Sequence, residues 1–93
     1  MVCLYKEKSY KIFETNDGYK IYNQANGRVA FMRDYKTCTW LIHLLNEKKI
    51  PYGMKSRYLL STLCILTNDM NYRYNIEFLL EKNKKKKKRG KRK

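Results

Sequence analysis

Acidic residues are scarce in this chain: eight Asp and Glu stand against 22 Lys and Arg. The carboxylates are also scattered, at Glu7, Glu14, Asp17, Asp34, Glu47, Asp69, Glu77 and Glu81. Acid–base catalysis needs two titratable groups placed together, and the single histidine, His43, supplies no obvious partner. Glycine is sparse as well. Gly18, Gly27, Gly53 and Gly90 stand apart, so no Gly-rich phosphate loop is present. The three cysteines, Cys3, Cys38 and Cys64, are far apart and form no CxxC pair. That spacing points to neither a zinc site nor a disulfide framework, and the thiols read as reduced and mostly buried. No enzyme, metal or cofactor is expected from these residues.

Long apolar runs are missing too. None approaches the roughly 18 residues that a membrane span needs. The start, Met1 to Lys8, lacks the apolar stretch of a signal peptide. A cytosolic or nuclear protein is the expectation. Nine Tyr, eight Asn and abundant Lys have AT-rich codons, which favours a phage, a virus or a low-GC microbe as the source.

What the chain does have is one small domain's worth of apolar residues and a lopsided charge. Its 93 residues are 43% hydrophobic, enough to fold, although a core of this size is modest. Residues 82–93 carry Lys82, Lys84, Lys85, Lys86, Lys87, Lys88, Arg89, Lys91, Arg92 and Lys93, which is +10 of the formal +14. Residues 1–81 are left with only +4. The domain boundary is therefore set at 81, with 82–93 a Lys/Arg-rich tail. A block of like charges repels itself and stays disordered until a counter-charged partner orders it.

The first third reads as strands. Tyr10 to Thr15 and Tyr19 to Asn23 flank Asn16-Asp17-Gly18, a strong hairpin signal. A second turn at Ala25-Asn26-Gly27 leads into Arg28 to Met32. The result is a three-stranded meander, with Val2 to Tyr5 available as an edge strand. Alternation assigns Tyr10, Ile12, Tyr19, Ile21, Val29 and Phe31 to the inner face and Lys11, Lys20 and Arg28 to the outer one. Asp34 is placed as an N-cap for a helix from about Tyr35 to Lys49. Cys38, Leu41, Ile42 and Leu45 share its buried face, and Pro51 and Gly53 stop it. Residues 57–67 fit a buried strand or a short helix. From Tyr72 to Leu80 every even position is apolar or aromatic, which favours a strand with one buried face over a helix. The expected fold class is α+β in the order βββαββ, with the basic tail leaving the last element.

The tail is the strongest functional signal. Ammonium groups neutralise phosphates and release condensed counterions, which gives affinity without sequence readout. Lysine is a point charge with no bidentate preference, so this run suits positioning. On the sheet, Lys11, Lys20, Arg28 and Arg33, with Lys36 at the helix start, can line a phosphate-facing surface. Tyr22 beside Lys20 can stack on a base. The leading expectation is a small non-enzymatic protein that binds RNA or DNA backbone, as part of a ribonucleoprotein assembly or as a DNA-binding accessory. The alternative is a phage-encoded inhibitor of a host nucleic-acid-processing or CRISPR-type defence complex, with a nucleic-acid-bound protein as partner. A polybasic membrane-surface role ranks third, and a strand at 72–80 counts against it.

Overall fold

Three side-chain caps punctuate the chain after its strands, and they decide its architecture. In the computed structural model, which describes residues 2–92 and side chains as far as Lys82, Asp34 accepts from the Thr37 backbone N–H at 2.9 Å and from its hydroxyl at 2.8 Å. Ser56 accepts from Leu59 N–H at 3.3 Å, and Asp69 from Tyr72 N–H at 3.0 Å. Each cap satisfies an N–H that a new helix leaves without a partner. Helix α1 spans Tyr35–Glu47, α2 spans Arg57–Leu66 and α3 spans Met70–Arg92. The Thr37 hydroxyl and backbone N–H hold the Asp34 carboxyl below the usual carboxylate range. Tyr72 N–H and then the Lys48 ammonium do the same for Asp69.

Before the helices, four strands form one antiparallel sheet in the order β1-β2-β3-β4. They are β1 Cys3–Glu7, β2 Tyr10–Thr15, β3 Gly18–Asn23 and β4 Arg28–Met32. The edge strand is thus realised, and longer than Val2 to Tyr5. The α+β class holds, but the end of the chain differs from the expected hairpin. Residues 57–66 are helical, with Leu60, Leu63 and Leu66 buried on one face. Residues 70–80 are helical as well, and the reason is geometric. In a strand, Tyr72, Tyr74, Ile76, Phe78 and Leu80 would share a face. In α3 they split: Tyr72 and Ile76, one turn apart, are buried, while Tyr74 and Phe78 are exposed at 68% and 60%. The Asp69 cap favours the helix, and a period-2 pattern in such a short segment does not outweigh it. The α3 backbone also takes in most of the basic segment. Side chains beyond Lys82, and with them the expectation of a tail disordered until bound, lie outside the described residues.

The helices cover one face of the sheet. Ile12 and Ile21 from the strands meet Cys38, Leu41, Ile42 and Leu45 from α1 and Leu60, Leu63 and Leu66 from α2, all buried. At roughly 1.5–3 kcal/mol per fully buried aliphatic side chain, these residues are the main source of stability. Burial also pushes the Cys38 thiol up to about 11, so it stays protonated and inert at neutral pH. Tyr72 donates its hydroxyl to Lys49 O at 2.7 Å and ties α3 to the segment after α1.

Two polar side chains, Asn23 and Thr67, are fully inside among the described residues. Asn23, at the end of β3, donates to Leu66 O at 2.7 Å and accepts from the Ser9 hydroxyl at 2.7 Å and from Ala25 N–H at 3.0 Å. It joins two turns of the sheet to the end of α2. Asn23→Ala is expected to destabilise the protein by about 2 kcal/mol, because buried partners lose their bonds. The figure stays moderate because Leu66 O keeps a second donor, Asn26 Nδ2 at 3.2 Å. A lower urea midpoint with an unchanged m-value checks this.

Candidate nucleic-acid interface

Strand pairing fixes which residues share the face that no helix covers. Lys6 pairs with Lys11, Lys11 with Tyr22, and Tyr22 with Val29, which makes one rung across the sheet. Cys3 pairs with Phe13, Phe13 with Lys20, and Lys20 with Phe31, which makes the adjacent rung. The opposite registers, such as Ile12–Ile21–Ala30, are the buried ones. The uncovered face is therefore aromatic and cationic, whereas one solvated face of an antiparallel sheet is ordinarily polar.

Three expected positions change. Alternation assigns Val29 and Phe31 inward, yet they are exposed at 39% and 58%, while Ala30 and Met32 are buried. Both parities of Arg28-Val29-Ala30-Phe31-Met32 are apolar, so alternation alone cannot choose. The four-residue connection from Asn23 to Arg28, closed by Gly27 N–H to Asn23 O at 2.8 Å, sets the register. Arg28 moves for the same reason. It pairs with Asn23 and so belongs to the helix-side register. Burial and the Glu77 carboxylate push the Cys64 thiol on α2 up, and the Arg28 charge, with that of Arg73, offsets part of that rise. Arg28 does not share a face with Tyr22.

The other predicted residues fall into three groups. Lys11, Lys20 and Tyr22 are together on the uncovered face and half-buried. The Lys20 ammonium lies 5.5 Å from the centre of the Phe13 ring, a cation–π placement. Arg33, just past β4, is exposed and lines a cleft with Asn16, Asp17, Tyr19, Phe31 and Tyr58. Lys36 is exposed on α1. Lys82 is exposed on α3, and Lys84, Lys85, Lys86, Lys87, Lys88, Arg89, Lys91, Arg92 and Lys93 have side chains outside the described residues. Sequence reasoning missed Phe13 and Phe31 as surface residues; the signal that finds them is the pairing register.

Compared with models of protein families, with curated proteins and with solved structures, the chain finds no match. Its own surface must carry the functional reading. Among the described residues, no group of three or more His, Cys, Asp or Glu side chains is placed to hold a metal ion. No helix among them is long and apolar enough to cross a membrane.

Proposed function

We propose that the chain is a small non-enzymatic nucleic-acid-binding protein whose basic C-terminal segment grips the phosphate backbone. The observation that carries this reading is the concentration of +10 in residues 82–93, against +4 in the other 81. A helical backbone through this segment strengthens it. Lysines at i,i+4 positions on a helix repel one another, and polyphosphate relieves that repulsion while releasing its own counterions. The body contributes further ammonium groups on the uncovered sheet face and orients the segment. The backbone charge is common to RNA and DNA, so the grip serves either.

The test is a titration of the full chain against a labelled 20-base-pair DNA duplex across a salt series. Contact with about six phosphates gives a slope of log K against log salt near −5. No binding at low salt, or a flat slope, overturns the reading. A protein partner that persists in a pull-down after nuclease treatment supports the inhibitor alternative instead.

One observation favours a membrane surface as a second reading. α3 carries Met70, Tyr74 and Phe78 exposed at one-turn intervals and then runs into the basic segment. An apolar stripe leading into a polybasic run is the pattern of an interfacial anchor. Co-sedimentation with vesicles containing phosphatidylserine, and not with neutral vesicles, supports that reading over the first.

A further inference from the structure

We propose that the uncovered sheet face is a stacking platform for unpaired bases, so that the protein binds single-stranded nucleic acid in preference to duplex. This rests on the nucleic-acid reading above and names the form of the ligand. Three aromatic rings occupy this face. Tyr22 lies diagonal to Phe13 across β2 and β3 and diagonal to Phe31 across β3 and β4. Diagonal neighbours on a sheet are about 7–8 Å apart, within reach of large side chains. Successive flat groups can therefore rest on successive rings. Phe31 is 58% exposed and stands outside the core cluster. Its backbone carbonyl accepts from the Tyr58 hydroxyl, which anchors the chain and leaves the ring outside.

Charge selects the occupant. Lys6, Lys11 and Lys20 are the charged strand residues of this face. The two strand carboxylates, Glu7 and Glu14, pair with Tyr10 and Tyr19 and so belong to the helix-side register. A second copy of the chain laid face to face would oppose two acid-free sets of ammonium groups, which is unfavourable. An anionic ligand with flat apolar groups satisfies both halves of the surface at once. Unpaired nucleotides are that ligand, because stacking is open to any base and tolerates any sequence. In a duplex the base faces are already stacked on one another, so only the phosphates remain to be gripped.

The experiment compares Phe31→Ala, Phe31→Leu and wild type in the full chain. The probes are a labelled 12-mer of thymidine, a labelled 12-mer of uridine and a 12-base-pair duplex, all at one salt concentration. Phe31→Ala is expected to weaken both single strands about tenfold, within the range for one stacked base, and to leave duplex affinity within about twofold. Phe31→Leu keeps apolar bulk without a π face and should weaken the single strands as well. Phe31 sits at the surface, so melting curves of all three proteins should coincide. Equal loss on duplex and single strand, or no loss on either, overturns the platform and leaves the tail-based reading standing. Full affinity in Phe31→Leu overturns stacking as the cause. Wild type that sediments as a dimer, together with a monomeric Phe31→Ala, makes the face a self-interface and overturns the proposal. Absence of binding to every probe overturns both readings.

Discussion

Glutamine in place of Lys84, Lys85, Lys86, Lys87 and Lys88 is expected to lower affinity for duplex DNA by about two to three orders of magnitude near physiological salt. The slope of log K against log salt should flatten by about 3 to 4. Both numbers follow from one count. Each phosphate neutralised on B-DNA adds about 0.9 to the slope, and five lysines supply at most five of the contacts. The substitution is chosen to spare the fold. Among the described residues, Leu80 is the last of α3 packed against the core, and the changed positions follow it in the basic segment. Glutamine and lysine have similar helix propensities, and removing like charges at i,i+4 spacing relieves repulsion. The thermal midpoint should therefore hold or rise slightly. Unchanged affinity in a protein that still melts normally would mean that the segment is not the grip.

The same variant separates the two binding elements. The uncovered sheet face lies opposite the helices, whereas the basic segment continues from α3, which is on the helix side. A strand long enough to reach both would be held twice, with the second contact made effectively intramolecular. A short probe would use one or the other. Loss caused by the lysine replacements should therefore be severe on duplex and milder on a 12-mer single strand, which retains the aromatic platform.

Much of the first half was legible in the sequence because its signals are local. Asp34 reads as an N-cap and is one. The α1 face of Cys38, Leu41, Ile42 and Leu45 reads as core and is buried. The hairpin around Asn16-Asp17-Gly18 is present, although its central pair is Asn16-Asp17, between the paired Thr15 and Gly18. The errors are of two kinds. The β4 face depended on a turn whose length shifts the register, and a one-residue shift flips every side chain. The α3 segment offered a period of two and a period of 3.6 at once. Asp69, three residues before Tyr72, was the discriminating cue, since Asp34 and Thr37 show the same spacing. The aromatic face was invisible for the first reason. Alternation gives Phe31 to the core because an apolar residue in a strand is ordinarily there.

Gly18→Ala is expected to be the most damaging of the alanine replacements at the described glycines, at about 3–4 kcal/mol. Gly18 adopts a φ of +152°, where L side chains rarely sit, and a Cβ built on it would lie 2.4 Å from Met32 O. The neighbour is backbone, not a side chain able to rotate away. Relief requires moving β3 from the end of β4, where Tyr19 pairs with Met32. Backbone strain of about 1–3 kcal/mol adds to an overpacking cost of about 1–3 kcal/mol. Gly27 is the control. It also has positive φ, at +73°, but a Cβ there meets nothing within 4 Å. Gly27→Ala should cost only about 1 kcal/mol, the left-handed penalty less the entropy removed from the unfolded chain. For a domain of this size about 1 kcal/mol moves the midpoint roughly 4–8 °C. The two alanine variants should thus melt more than about 8 °C apart by circular dichroism. Equal melting temperatures would show that the β3–β4 junction yields to an added methyl. The steric account of Gly18 would then be wrong. The consequence reaches function, because the same junction holds Phe31 and Lys20 opposite one another on the uncovered face. A Gly18→Ala protein that still folds should lose single-strand preference before it loses duplex binding, since the platform depends on register and the basic segment does not.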